Sequence, residues 1–408
     1  MIFTLLLIGI VALFASCEKN NPDPGSGEPN TIELTKKSAE IVEADRQFAF
    51  ELYQEVLSLS DQENIMISPL SVSYALGMTY NGAAGTTLDA FNEVLHFSEL
   101  TGQEVNESYK VLMDQLVQLD DRVAFSIANS IWYKLGYNVL EDFITTNETY
   151  FDAAVQELDF SDPGAVDIIN GWIEEKTNDK IQDMLDYIPS DAVMYLINAI
   201  YFNAKWKYQF DPEDTFGGQF HLDGGGTHQA DFMQIEAGFH YVSNDLFSAV
   251  EMPYGDSAFS MVVLLPNDGH TTGEIAGQMD VEAWDGWFDN AYMTNMVVEL
   301  PKFTYEWKDL LNDPLTNLGL GVAFSGAADF SRITPGGGIF ISRVIHQTFI
   351  DVNEEGTEAA AATIVELLET SMPQTLVFRA DKPFLYAIKE NSTSAIVFMG
   401  RVGKPEHD

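Results

Sequence analysis

The chain has almost no cysteine and little positive charge. Cys17 is its one cysteine, so an internal disulfide is excluded, and so is a thiolate metal cluster. Lys and Arg number 20 against 63 Asp and Glu, leaving a formal net charge of −43. A chain this acidic repels nucleic acid and anionic lipid unless its cations gather in one patch. They are scattered, so neither partner is expected and the acidity reads as a solvated surface. Catalytic motifs are missing too. There is no Gly-x-Ser-x-Gly nucleophile elbow, no Walker loop, and no His-Glu-x-x-His spacing among the histidines. Gly319-Leu320-Gly321 lacks the third glycine and the preceding strand of a dinucleotide site, so it reads as a turn. His221 and His228 flank Gly224-Gly225-Gly226, a loop rather than a metal site. With so many carboxylates, close pairs arise by chance. The expectation is a protein that is not an enzyme and uses no metal or cofactor.

What is present begins with Ile2–Ser16, a short apolar run ending in small residues. It is too short for a comfortable membrane span and reads as the core of a signal peptide. The junction Phe14-Ala15-Ser16-Cys17 resembles a bacterial lipoprotein cleavage box, in which Cys17 becomes the lipidated first residue. Residues 1–16 are therefore expected to be a signal peptide, with an ordinary secretory signal as the alternative. Residues 17–37 read as a flexible tether, because 18–31 is polar and rich in Pro and Gly. The reading implies export, as an outer-membrane or cell-surface lipoprotein touching membrane only through its anchor. Otherwise the protein is secreted or periplasmic.

From about Ser38 the pattern turns helical, with Ile41, Phe48, Leu52, Val56 and Leu59 on one face. Asn64–Ser71 reads as a short buried strand feeding an apolar, central helix, with Ser68 as N-cap and Pro69 as first helical residue. Gly82-Ala83-Ala84-Gly85-Thr86-Thr87 breaks that helix and caps another. Arg122–Lys134 alternates as a strand, with Val123, Phe125, Ile127, Asn129 and Ile131 on one face. Asp162–Leu185 holds a surface helix with Ile169, Trp172, Ile173 and Ile181 inward. Met194–Trp206 is apolar enough to be central in a sheet covered on both faces. Strands and turns follow from Gln219 to Pro266, with Phe259–Leu265 in the core. Helical segments near Thr272–Met279 and Val281–Asp289 precede a strand at Met296–Tyr305 and a helix at Leu310–Leu318. An apolar, strand-like run covers Ile339–Val352. Thr375–Phe378 is extended, and Phe384–Lys389 and Ser394–Arg401 form a hairpin. With 408 residues, 46% of them hydrophobic, the chain can hold one large core or two domains. No repeat or interior linker divides it, so it reads as one α+β domain over residues 38–408.

The stretch Glu354–Ser371 is ambiguous alone. Its Ala, Leu and Glu favour helix, while Thr363, Ile364 and Val365 favour strand. Read with period two, Thr357, Ala359, Ala361, Thr363, Val365 and Leu367 form one uncharged face. Such a face can be buried, so the segment is able to add a strand to a sheet.

Several motifs then resemble the serpin family, from about Ser38 to Pro405. Asn64–Ser71 with Gly82–Thr87 looks like the family's buried-helix signature, and Leu196–Trp206 like the third strand of its main sheet. Phe330-Ser331-Arg332-Ile333, Val344-Ile345-His346-Gln347, Asp381-Lys382-Pro383-Phe384-Leu385 and Phe398-Met399-Gly400-Arg401 fit its C-terminal third. The resemblance implies helices packed around a large mixed main sheet and two further sheets, with an exposed reactive loop. Inhibitory members carry Glu, a variable residue, then Gly-Thr-Glu and small residues. Here Glu354, Gly356, Thr357, Glu358, Ala359, Ala360, Ala361 and Ala362 fit that hinge. By position, Ser68, Ser71, Asn198 and His346 match the family's polar cluster beneath the opening strands. Trp206 matches the tryptophan where the loop first inserts.

The resemblance implies a monomeric inhibitor of serine, sometimes cysteine, endopeptidases that works as a suicide substrate. Counting from the hinge places the reactive bond at Thr370–Ser371. Leu368–Glu369 and Glu369–Thr370 remain open, and counting back from Lys382 gives Met372–Pro373. Thr370 suits an elastase-like target, Leu368 a chymotrypsin-like one and Glu369 a glutamate-specific one. No Arg or Lys occurs between Glu354 and Pro373, which argues against a trypsin-like target. Lys110 and Arg122 are the cations of the region Glu99–Arg122, so no heparin-type cofactor is expected. Two other functions compete. One is a non-inhibitory serpin acting as a binding or carrier protein, against which the small-residue hinge argues. The other is a hydrolase or glycan-binding lipoprotein, which lacks a visible site.

Overall fold

The structure, a computed structural model, describes residues 29–357 and 375–407. Nine α-helices lie among them: α1 (Lys36–Leu59), α2 (Pro69–Tyr80), α3 (Gly85–Val94), α4 (Gly102–Leu116), α5 (Glu141–Phe151), α6 (Ala165–Lys176), α7 (Thr272–Ala276), α8 (Val281–Phe288) and α9 (Asn312–Leu318). The strands up to Pro266 are β1 (Asn64–Ile67), β2 (Val123–Lys134), β3 (Ala153–Leu158), β4 (Met194–Lys205), β5 (Phe216–His221), β6 (Thr227–Ser243), β7 (Phe247–Pro253) and β8 (Phe259–Pro266). The later strands are β9 (Tyr292–Pro301), β10 (Phe303–Leu310), β11 (Ile345–Val352), β12 (Gly356–Thr357), β13 (Leu376–Arg379), β14 (Phe384–Glu390) and β15 (Ile396–Val402).

The six-stranded main sheet has the order β10-β11-β12-β4-β2-β3. It is mixed, since β2 and β3 run parallel and the other pairs antiparallel. The remaining strands form one nine-stranded sheet, β1-β15-β14-β8-β7-β6-β9-β13, with β5 also on β6. The resemblance implied two smaller sheets here. The long strand β6 joins them, pairing first with β5 and then with β7 on one side and with β9 on the other.

Helix α2 fills the space between the sheets, packing on β4 of one and β15 of the other. Its local sequence explains its start. Ser68 accepts the backbone N–H of Ser71, and Pro69 takes a first-turn position where its missing N–H costs nothing. Burial explains its persistence: Leu70, Val72, Tyr74, Leu76 and Met78 are all buried, each contributing about 2 kcal/mol. The turn after it is fixed by packing. A Cβ on Gly82 would lie 2.1 Å from the Ile333 side chain, so two of the sequence motifs meet there through a missing side chain.

Four expectations change. Leu59 ends α1 exposed, because the packed stripe finishes at Val56. The surface helix stops at Lys176; Asn178 and Asp179 adopt positive φ, which these short polar residues tolerate. Ile181 is still buried, but from an irregular segment beside Ile169 and Ile173. Met296–Tyr305 is not one strand. The chain leaves the nine-stranded sheet at Pro301 and enters the main sheet at Phe303. The apolar run Ile339–Val352 becomes a strand only from Ile345, after three left-handed glycines, Gly336, Gly337 and Gly338.

Candidate functional site

The site lies where β12 meets its neighbours. Gly356 and Thr357 pair antiparallel with Lys205 and Ala204 of β4, and Thr357 pairs with Val352 of β11. A strand between two others holds them about 9.5 Å apart at that level. The fit requires glycine, since a Cβ on Gly356 would lie 2.0 Å from the Ala204 carbonyl oxygen. Thr357 is buried, and its hydroxyl is 2.7 Å from that of Tyr254. Burial holds the Tyr254 phenol protonated, well above the ordinary range. Tyr254 in turn stacks on Trp206, with ring centroids 4.4 Å apart and planes 11° from parallel.

Trp206 grips the turn before the hinge. Its Nε1 donates to the Asn353 carbonyl (3.0 Å), and its backbone N–H to the Glu355 carbonyl (2.8 Å). Glu354 is anchored beside it. Its carboxylate pairs with Lys302 at 3.1 Å and accepts from the Thr215 hydroxyl at 2.8 Å. Burial alone would raise the Glu354 carboxyl. Its backbone N–H, Thr215 and Lys302 outweigh that and hold it below the usual range.

Further along the same seam lies a polar cluster. Ser68 donates its backbone N–H to His346 Nε2 (2.9 Å) and its hydroxyl to the Val397 carbonyl (2.8 Å). The Ser68 hydroxyl also accepts from the Ser71 N–H. Asn198 donates through Nδ2 to Asn129 Oδ1 (2.7 Å), and Asn129 donates to the Phe151 carbonyl (2.6 Å). Thr348 donates to the Met66 carbonyl. Burial pushes the His346 imidazole down to about 4, so it is neutral near pH 7. Ser68, Ser71, Asn198 and His346 line one small cavity of about 10 Å3.

The structure thus brings Glu354, Gly356, Thr357 and Trp206 together at one end, and Ser68, Ser71, Asn198 and His346 at the other. Glu358, Ala359, Ala360, Ala361, Ala362, Thr370, Ser371 and Cys17 lie outside the described residues. Sequence reading missed Tyr254, Lys302 and Thr215, for which no local pattern existed. It also missed Asn129 as a cluster member, although a lone amide on an apolar strand face was the available signal. Among the described residues no group of three His, Cys, Asp or Glu is placed to hold a metal ion. Nor is any helix among them long and apolar enough to cross a membrane.

Comparison with known proteins agrees with this geometry. The family model described as serpin (serine protease inhibitor) matches residues 43–405. An uncharacterised serpin-like protein of Methanosarcina mazei is 33% identical, covering 99% of this chain and 97% of its own. Human neuroserpin is 32% identical, covering 89% and 92%. Among solved structures, the thermophilic serpin tengpin in its native state superposes with a TM-score of 0.83 at 31% identity, covering 91% of this chain and 95% of its own. Human thyroxine-binding globulin also reaches 0.83, at 26% identity, covering 91% and 100%. A short strand gripped between two antiparallel neighbours, a buried polar cluster below it and a family match over almost the whole length lead to one conclusion: the chain belongs to the serpin family.

Proposed function

We propose that this protein inhibits serine endopeptidases, and some cysteine ones, as a single-use trap. The observation that carries the reading is β12. The first two insertable residues of the hinge already form a strand between β4 and β11, antiparallel to both. Extension of that strand would use hydrogen-bonding edges on both sides, and serpin loop insertion is itself an established instance of strand addition.

The chemistry begins as ordinary proteolysis. The target's serine hydroxyl adds to the carbonyl of Thr370, the amine of Ser371 leaves with a proton, and an ester joins loop to enzyme. The freed loop then continues from Thr357 between β4 and β11. About 13 residues at strand rise span roughly 43 Å, enough to carry the attached enzyme across the molecule and distort it before water cleaves the ester. The register suits this. Ala359 would meet Phe202 and Ile350, and Ala361 would meet Ile200 and Thr348, so small side chains fall between large ones. Alanine also has almost no side-chain entropy to lose.

Elastase-like, chymotrypsin-like or glutamate-specific enzymes are the proposed targets. A heparin-type activator is not part of the reading, because Lys110 pairs with Asp114 and Arg122 with Asp256. The protein acts as an exported monomer anchored through lipid on Cys17, otherwise secreted or periplasmic. Palmitate labelling that is lost in Cys17→Ala tests the anchor.

The central test incubates the protein with one enzyme of each class and looks for a complex that survives denaturing gels. Sequencing the released C-terminal peptide locates the bond. Cleavage by all three enzymes without any complex would overturn the inhibitor and favour a carrier, the role that its name gives to thyroxine-binding globulin, solved with thyroxine.

A further inference from the structure

Away from the hinge and its seam, one carboxyl is buried in the helical layer. Asp45 of α1 lies between Ser73 of α2 and Tyr109 of α4, and all three are buried. Its Oδ1 is 2.5 Å from the Ser73 hydroxyl and 2.9 Å from that of Tyr109, and the two hydroxyls are 2.5 Å apart. Three oxygens thus touch in a closed ring that joins three helices.

A count of protons fixes the state of that ring. Each contact needs one proton between its oxygens. The two hydroxyls supply two, and an ionised carboxylate only accepts. Ionised Asp45 would draw both protons to Oδ1 and leave the hydroxyl oxygens facing each other with nothing between them. A proton on Oδ1 closes the ring: the carboxyl donates to one hydroxyl, that hydroxyl to the other, and the other back to Oδ1.

The surroundings favour the same state. Tyr109 packs against the rings of Tyr74, Phe97 and Phe151, and burial keeps the Tyr74 and Tyr109 phenols protonated. Among the described residues none donates to Asp45 Oδ2. The charged groups on and around α1 are engaged elsewhere. Arg46 turns to Glu43 and to Asp285 of α8, and Lys110 of α4 pairs with Asp114. Glu274 caps α7, Glu55 accepts from Asn317 of α9, and Arg401 of β15 reaches Asp223. His96 pairs with Glu51, further along α1. A buried carboxylate without a cation is costly, and burial raises the Asp45 carboxyl to about 7.

The ends of α4 are tied separately. Glu104 lies 3.9 Å from Lys37 at its start, and Gln115 near its end exchanges hydrogen bonds with the Glu33 backbone. Tyr109, at its middle, is held through the ring. We propose that Asp45, Ser73 and Tyr109 form a proton-operated latch between α1, α2 and α4, closed while the carboxyl keeps its proton and released when that proton leaves to solvent. Its loss strands a charge among aromatic rings, so the carboxylate turns toward water and the middle of α4 loosens. The device needs no loop insertion and stands or falls apart from the inhibitor reading.

Infrared spectra of the full-length protein at about pH 5.5 and 8.5 read the C=O stretch of a protonated carboxylic acid, a form that ordinary carboxyls have left at both values. Wild type should show the band at the lower pH and lose it at the higher, and Asp45→Asn should show none. Amide hydrogen exchange, corrected for its intrinsic pH dependence, reads the latch. Between the two pH values, protection around Tyr109 should fall about tenfold in wild type. Helix α6, which packs on β2 and β4, should hold its protection. In Asp45→Asn, whose amide keeps its protons at every pH, α4 should not change. A wild type without the band at the lower pH overturns the proposal, and so does a band whose loss leaves α4 protection unaltered. Both are read on wild type alone, whether or not the variant folds. A fall in α4 protection that persists in Asp45→Asn also overturns it and assigns the effect to His96.

Discussion

The two sheets share one core but are built from different side chains. In the nine-stranded sheet β14 is buried along its whole length, and β8 is apolar over most of its own. The polar exceptions on β14, Lys389 and Glu390, sit at its turn end and are partnered by Glu251, Ser392 and Thr393. In the main sheet, the strands flanking β12 carry Asn198, His346, Gln347 and Thr348 at buried positions. Apolar burial is non-directional and is hard to undo piecemeal. Buried polar groups have discrete partners, and those partners can be exchanged. On the proposed inhibitor reading, one sheet is the frame and the other the moving part, with its polar residues placed where strands would part and re-pair.

The sharpest way to break that comparison is to stop the moving part at its first step. Thr357→Arg would put a charge against buried Tyr254, so the hinge would leave the sheet in the intact protein and could re-enter it only at a cost of several kcal/mol. The expected outcome is complete loss of the covalent complex while the loop is still cut at the normal rate, read on denaturing gels. Complex formation at the wild-type level would refute the account. Glu354→Lys comes next. It would set two ammonium groups against each other where Glu354 now pairs with Lys302, and both positions are largely buried. The intact form should lose about 3 kcal/mol in urea titration. The double variant Glu354→Lys with Lys302→Glu should recover most of it, and no recovery would show that the pair does not hold the hinge.

A smaller effect separates the main sheet from the helical layer by pH. Burial lowers His346 from its ordinary 6.5 to about 4. As pH falls through that window the unfolded chain takes a proton that the folded one refuses, so stability drops by up to about 3 kcal/mol. Asp45 of α1 behaves oppositely. Burial raises its carboxyl to about 7, against hydrogen bonds from Ser73 and Tyr109. As pH rises from about 4 to 7 the unfolded chain releases a proton that the folded one keeps, and stability drops by a similar amount. The slopes oppose each other in wild type. Asp45→Asn should therefore lose stability on acidification from about pH 6.5 to 4, and His346→Gln on the rise from about 4 to 7. Urea midpoints across that range check this, and flat profiles in both variants would contradict it.

What was legible in the sequence was what is local. The start of α2 could be read because Ser68 and Pro69 act within one turn. The switch between sheets at Lys302 could not be read. Phe303 and Tyr305 continue an apolar alternation that begins in β9, and nothing local marks the change of partner. Tyr254 and Lys302 were invisible for the same reason: they reach the hinge from about 100 and 50 residues away in sequence. Ile181 was rightly placed inward yet wrongly placed in a helix, because burial follows the core while the helix follows the backbone of Asn178 and Asp179.

The smallest expected effect on inhibition comes from the frame, and it is the strictest test of the comparison. Leu264 lies fully buried on β8, paired with Ala249 on one side and Leu385 on the other. Leu264→Ala should cost about 2–5 kcal/mol through lost burial and the cavity left behind. That is as large a loss of stability as any variant above. Yet β8 pairs with the same neighbours whether or not a strand enters between β4 and β11. Intact and cleaved forms should therefore lose stability by the same amount, and the number of inhibitor molecules consumed per enzyme trapped should not change. A shift in that stoichiometry would mean that the nine-stranded sheet also moves during inhibition, and the division into frame and moving part would fail.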